Sequence, residues 1–384
     1  MIDIAFRNSF YRTNGETCAA SNTIVGNEVC HVFNKNRFIE FLKALTKVIV
    51  FFEFKHLLSF FSYICSMNNR SDILLSIIIP FKNRVSLIKR TLRSLSDLES
   101  PGESVNLIFV DNGSTDASVS AIKYWMGNEC PAWIMPTLLS CEEPGAAAAR
   151  NKGLESASTP WVMFFDSDDE MLPPHISNVL SAIRLNNEAD IIYWDIIIEN
   201  NGKESVKKPR QNSLTIDVVM HAVWATQRFA IKRFFLLQAG AWNRSLPAWT
   251  DWELSVRMLL LAPLAVHLTQ SPTVIAHHNN DSITGKDFKS KQGVWEMAVN
   301  SALSAAKKHN HKEITNIIYL KEAVLAANYA REGANDVARD TLMKISSCSS
   351  LSTSIIKLVY LWQKYLGRGS AYLIGLLKKC GKLA

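Results

Sequence analysis

The run Trp161-Val162-Met163-Phe164-Phe165 has no polar residue, and Asp166-Ser167-Asp168-Asp169 follows it without a gap. A strand so uniformly apolar must be covered on both faces, the condition of a parallel sheet sandwiched between helices. Two comparable runs precede it, Ile73 to Pro80 and Asn106 to Val110, each ending in a polar turn. Helical spacing lies between them. Val85, Ile88, Leu92 and Leu95 share one helix face. Ala117 to Trp125 follows a polar turn in which Asp116 or Ser114 can cap a helix. A short strand is expected near Trp133 to Leu139, and Pro144-Gly145 opens an alanine-rich helix, Ala146 to Ala157. Strand alternating with helix predicts an α/β fold with a mostly parallel sheet, flanked by helices and joined by right-handed crossovers.

In such a sheet, ligands bind outside the carboxyl ends of the strands. The acidic cluster stands at one of those ends. Residues two apart on an extended chain point the same way, so Asp166 and Asp168 can grip one Mg²⁺ or Mn²⁺. These ions are held by one or two carboxylates while substrate phosphates complete the shell, and Asp169 is expected to orient that shell. The plainer alternative is a solvated acidic turn.

Downstream, Ile176 to Asn186 reads as a helix and Asp190 to Ile198 as a strand running into a hairpin turn at Asn200-Asn201-Gly202-Lys203. Residues 215–245 mix helix and loop. Asp251 to Leu261 reads as a helix with Thr250 as N-cap, and Gln292 to Ser346 is helical throughout without a catalytic motif. The division expected is residues 1–70 as an extension outside the fold, 71–285 as the catalytic domain, and 286–384 as a helical region ending in a basic amphipathic tail.

With 48% hydrophobic and 20% charged residues in 384, the chain has the composition of a globular protein. Its net charge of +7 matters less than where the charge lies. From Leu351 to Ala384 there is no acid, while Lys357, Lys364, Arg368, Lys378, Lys379 and Lys382 alternate with leucines, tyrosines and Trp362. That pattern suits either an anionic membrane surface or a helical pair packed on the domain with lysines on its wet face. Seven cysteines, Cys18, Cys30, Cys65, Cys130, Cys141, Cys348 and Cys380, form no C-x-x-C pair, which points to a reducing compartment. No secretory signal is evident, and Val48 to Cys65 is interrupted by Glu53, Lys55 and His56, so it reads as an amphipathic helix rather than a span. Met67 just before the first strand is consistent with residues 1–66 being upstream of the fold.

Four strings occur in order: Pro80-Phe81-Lys82-Asn83-Arg84; Val110 to Asp116; Gly145 followed by Ala149-Arg150-Asn151-Lys152-Gly153; and Asp166-Ser167-Asp168-Asp169. This series resembles the nucleotide-sugar domain of family 2 glycosyltransferases, from about Leu75 to Pro174 and more loosely to Ser282. The resemblance implies a GT-A type fold and an inverting sugar transfer assisted by Mg²⁺ or Mn²⁺. It implies donor-binding roles for Pro80, Phe81, Asn83, Asp111, Arg150 and Asp166, and metal-binding roles for Asp166, Asp168 and His278. The family's second strand often ends in two acids, but Asn112 holds the second position here. Pro247 to Leu254 resembles the segment that carries the base, with Thr250 where an acid commonly precedes it. Asp251 is the expected base and Glu253 its rival, and Trp249 and Trp252 can stack on a sugar or sit in the core. The expected partners are a nucleoside diphosphate sugar, UDP favoured, and a glycan or lipid-linked acceptor of a bacterial surface polysaccharide, with no nucleic acid. The expected location is cytoplasmic, at the inner face of the membrane. The competing readings are an aspartyl phosphatase, whose D-x-D also follows an apolar strand, and a non-catalytic carbohydrate-binding scaffold of the same fold.

Overall fold

Every residue of the first strand is buried, and the rest of the sheet is built outward from it. The computed structural model describes residues 73–209, 213–278 and 288–383, all within the unit Asn69–Ala384. The expectations for residues 1–70, including the helix at Val48 to Cys65, lie outside the described residues. The chain runs β1 (Leu75–Phe81), α1 (Ile88–Ser96), β2 (Val105–Asp111), α2 (Ser118–Asn128), β3 (Ile134–Ser140), α3 (Ala146–Ser156) and β4 (Trp161–Phe164). This is the expected alternation. It continues through β5 (Glu170–Met171), α4 (His175–Leu185), β6 (Ile191–Trp194), β7 (Ile196–Asn200), β8 (Lys203–Lys207), α5 (Leu214–His221), β9 (Phe229–Lys232), α6 (Arg233–Gln238), α7 (Thr250–Leu260), β10 (Ala265–Leu268) and β11 (Val274–His277). The helical region is α8 (Val294–Lys308), α9 (Lys312–Arg331), α10 (Asn335–Cys348), α11 (Thr353–Leu366) and α12 (Ser370–Lys379).

The main sheet has seven strands in the order β10-β6-β9-β4-β1-β2-β3, and a smaller one has the order β5-β11-β7-β8. β1 pairs in parallel with β2 and β4, and β2 with β3. In this register Phe81 stands beside Asp111 and Asp111 beside Ser140, so the carboxyl ends share one edge. Alternate residues of β1 serve opposite faces. Ile77 and Ile79 join the core under α1, α2 and α4. Ile78 joins a second core that contains α3, Trp252 and, from the helical region, Ile317, Ile318, Ile356 and Val359. Helix α3 lies close on β1, since a Cβ added to Gly153 would collide with Ile78.

Three local expectations are corrected. Asp190 to Ile198 is not one strand. It breaks at Asp195, buried and bonded to His267 Nε2 at 2.9 Å, so β6 stays in the main sheet while β7 enters the smaller one. Residues 215–245 are more than helix and loop: β9 inserts antiparallel between β4 and β6. The cap of α7 is Trp249 in a left-handed conformation (φ 53°), and Thr250 is already the first helical residue. The hairpin is as expected, with Asn201 and Gly202 both at positive φ as a type I′ turn requires.

The tail folds into two helices that pack by one side. Ile356, Val359 and Gln363 of α11 and Ala371, Leu373 and Ile374 of α12 are buried. Leu358, Leu361 and Tyr365, with Tyr372 and Leu376, remain exposed, Tyr365 by 76%. Among the described residues no helix is long and apolar enough to cross a membrane.

Candidate active site

At the carboxyl edge of β1, β2 and β4 opens a cavity of about 980 Å³, bordered by the strand-end loops, the start of α3, the residues before α7, and one side chain of α9. The acidic turn forms its floor. Burial alternates through it: Asp166 and Asp168 are partly exposed, Ser167 and Asp169 buried. The backbone there is a turn rather than extended chain, closed by the Asp169 amide donating to the Asp166 carbonyl at 3.4 Å, yet both expected carboxylates reach the cavity. Asp169 is held from behind. Its two oxygens accept from Gln227 Nε2 and from the His277 amide, each at 2.9 Å. Burial, and then the negative charges of Asp166 and Asp168, push its carboxyl well above the ordinary aspartate range. Arg90 braces the turn by donating to the Asp168 carbonyl and facing Glu170 at 3.6 Å.

That crowding of negative charge bears on the metal question. Among the described residues no three His, Cys, Asp or Glu side chains converge to hold an ion unaided. Two cavity-facing carboxylates on hard oxygens nonetheless fit Mg²⁺ or Mn²⁺, whose remaining positions go to phosphate and water.

Arg150 lies on α3 with its guanidinium 4.5 Å from the centre of the Trp242 ring and Nη2 2.9 Å from Asp166 Oδ1. Its Nε is buried and has no hydrogen-bond partner. Neighbouring Asn151 has a structural role, exchanging two hydrogen bonds with the backbone of Trp242 at 2.8 and 3.0 Å. The basic residue and the loop it stacks on are thereby fixed to one helix.

Asp251 borders the cavity, in the first turn of α7. Burial raises its pKa above the ordinary aspartate value, against the Trp252 amide that donates to Oδ1 at 2.8 Å and the positive charge of Arg150. Its rival is elsewhere. Glu253 is wholly buried, bound by both oxygens to Arg257 at 2.8 and 2.9 Å, and accepts from Ser301 Oγ of α8 at 2.7 Å. Trp252 is core, its Nε1 donating to the Val219 carbonyl at 2.7 Å. Trp249 is partly exposed at the cavity and packs against Trp295 with ring centres 5.0 Å apart and planes tilted by 41°.

Pro80 and Phe81 line the cavity, whereas Asn83, in the loop after β1, and Asp111, the last residue of β2, are not among its lining residues. Asn83 Oδ1 accepts from the Thr115 amide at 2.8 Å, joining the β1 and β2 loops, and Asp111 Oδ1 accepts from the Ser114 amide at 3.0 Å within the turn after β2. Asn112, where the family often has an acid, lines the cavity itself. Its Nδ2 donates to the carbonyls of Cys141 and Glu143 while Oδ1 accepts from the Gly145 amide at 2.7 Å. A carboxylate has no hydrogen to donate there, which explains the departure. His278 is exposed at the rim. Its neighbour His277 is the anchored one, between Glu170 at 2.6 Å and Glu199 at 3.1 Å.

Sequence reasoning missed Lys207, Arg244 and Lys321, all of which line the cavity. Arg244 is engaged with Glu143 and Glu155. The two lysines lie far along the chain from the strand-end strings, and no local pattern marked them.

Residues 76–244 match the family model Glycosyl transferase family 2. An uncharacterized glycosyltransferase of Haemophilus influenzae is 24% identical over 280 residues, 71% of this chain and 86% of its own length. The teichoic acid poly(glycerol phosphate) polymerase of Staphylococcus epidermidis is 24% identical over 310 residues, 71% of this chain but 39% of that protein, so the chain spans less than half of it. Among solved structures, S. aureus TarS 1–349 in complex with UDP-GlcNAc matches with a TM-score of 0.56 at 14% identity, covering 81% of this chain and 93% of that one. That likeness is one of fold, and it bears out the expected GT-A type sheet with a helical region following it.

Proposed function

The chain belongs to glycosyl transferase family 2 and is a glycosyltransferase, and on that premise we propose that it inverts the anomeric carbon of a nucleoside diphosphate sugar, with Asp251 as the base. The acceptor hydroxyl oxygen forms the new bond to the anomeric carbon, the bond to the diphosphate oxygen breaks, and the hydroxyl proton passes to the Asp251 carboxylate. The observation that carries this reading is the shared cavity of Asp251, Arg150 and the Asp166–Asp168 turn, with Glu253 engaged by Arg257. Desolvation that raises a carboxyl pKa makes the ionised form a better proton acceptor, and general bases work best with a pKa near the operating pH.

Arg150 binds the diphosphate through its planar fork of donors. Pro80, Phe81 and Asn112 border the nucleoside end, with Asn83 and Asp111 shaping the adjoining loops. Asp166 and Asp168, with His278 at the rim, would hold Mg²⁺ or Mn²⁺, which would neutralise charge on the departing nucleoside diphosphate. UDP is the favoured nucleotide. The acceptor is a glycan or lipid-linked chain of a bacterial surface polymer, a reading that the polymerase likeness supports. The acid-free tail, with exposed Leu361, Tyr365, Tyr372 and Leu376 beside Lys357 and Lys379, supports docking at an anionic membrane face. The family match places the phosphatase alternative behind this one.

Calorimetric titration of UDP, GDP and dTDP, with and without Mn²⁺, tests the donor side on the wild type and Asp168→Ala. Metal-dependent binding of one nucleotide, lost in the variant, is expected. Absence of binding by all three overturns the reading.

A further inference from the structure

Two lysines line the cavity from outside the strand-end loops. Lys207 is the last residue of β8 and is exposed, and Lys321 lies midway along α9. Among the described residues no carboxylate is in ion-pair contact with either. Lys321 Nζ donates to the Met220 carbonyl at 3.1 Å and stands 5.4 Å from the centre of the Trp249 ring. An ammonium has three N–H donors, so one carbonyl does not satisfy it. Burial, and then repulsion from Lys207, lower the pKa of Lys321 to about 8.

The electrostatic neighbours connect the lysines to the base. Asp251 responds to Arg150 and Asp166 and, separately, to Lys207. Lys321 responds to Lys207. The base is therefore within electrostatic reach of both Arg150 and Lys207, and all of these residues line one cavity. A sugar donor takes Arg150 and the acidic turn in the reading above, so whatever meets the lysines arrives with the acceptor. Two ammonium groups that repel each other across one cavity are stabilised when an anion comes between them.

We propose that Lys321 and Lys207 form an anion-binding acceptor subsite beside Asp251, so that the acceptor carries a phosphate or carboxylate close to the hydroxyl that receives the sugar. The inference rests on the glycosyltransferase reading and deepens it by naming the acceptor's chemical class. Phosphodiester and carboxylate chains share the chemistry, and separate probes distinguish them.

The test uses the full chain saturated with UDP and Mn²⁺, which occupies the diphosphate end. Calorimetry then compares a short oligo(glycerol phosphate), an oligoglucuronate and a neutral isomaltooligosaccharide of similar length. At least one anionic probe is expected to bind the wild type about tenfold or more tighter than the neutral one, about 1.4 kcal/mol. Lys321→Met and Lys207→Met keep most of the apolar stem and should each lose that preference, while Lys321→Arg should retain most of it. The better of the two anions identifies the source. Equal binding of neutral and anionic probes by the wild type, or an unchanged preference in both methionine variants, overturns the proposal. The UDP titration that precedes each run reports on the donor site by itself. A wild type that fails to bind UDP counts against the glycosyltransferase reading, whereas the lysine subsite is decided by the anion comparison.

Discussion

Asp251 and Glu253 are two residues apart and meet opposite surroundings. Successive residues on an α-helix turn through about 100°, so positions i and i+2 point to nearly opposite sides. The side of α7 that carries Asp251 faces the cavity, and the other turns Glu253 to Arg257 and Ser301. We expect Asp251→Asn to abolish transfer while UDP affinity stays within about twofold, because its role lies in the transition state. The raised pKa of Asp251 sets a sign. As pH falls through that raised value the carboxylate gains a proton and can no longer accept one, so the acid limb of kcat/KM should lie above the ordinary aspartate range. An acid limb near pH 4, the range of an unperturbed carboxyl, would remove Asp251 from the role. Glu253→Ala should act on stability instead, costing about 3–5 kcal/mol by stranding Arg257, measured by urea unfolding. Unchanged stability would show that the pair contributes little.

Helix α3 shows how an element delivers a site. Its alanines and Gly153 let it approach β1 and β2 closely, Ile78 and Val110 being the nearest side chains to Gly153. That proximity sets Arg150 beside Asp166, and Asn151 clamps the Trp242 loop. Overpacking of a tight contact costs about 1–3 kcal/mol, so Gly153→Ala should lower the unfolding free energy measured in urea by that order and weaken UDP binding by displacing Arg150. Lost stability without weaker UDP binding would mean that the helix and its arginine are not coupled. Strand β9 teaches the opposite lesson. Its four residues sit between two helices and pair antiparallel inside a parallel sheet. So short a stretch carries little periodicity of its own, and neighbouring strands decide its conformation.

The helical region does more than follow the sheets in the chain. It shares a core with the sheet, supplies Ser301 to Glu253 and extends Lys321 to the cavity. Deleting residues 351–384 would remove the buried contacts of Ile356, Val359 and Ile374 along with any membrane surface, so exposed positions give the better test. Serine at Leu361, Tyr365, Tyr372 and Leu376 together should leave thermal unfolding within a few degrees and cut binding to phosphatidylglycerol vesicles at least tenfold. Interfacial binding scales with buried apolar area plus attraction to anionic lipid. A quadruple variant that binds vesicles as the wild type does would exclude the tail as the docking face.

Sheet class, strand ends and the acidic turn were legible in the chain because each is a short contiguous pattern. An apolar run must be covered, and the polar cluster after it must reach the surface. Of the residues proposed for the donor side, Phe81, Asp111 and Asp166 directly follow such runs, and Asp166, Asp168 and Arg150 border one cavity. The split at Asp195, the insertion of β9, the separation of Asp251 from Glu253 and the arrival of Lys207 and Lys321 were settled by tertiary structure alone. Each depends on which residues distant in sequence lie opposite one another, and pairing across a sheet or a cavity leaves no trace in the spacing along a single segment.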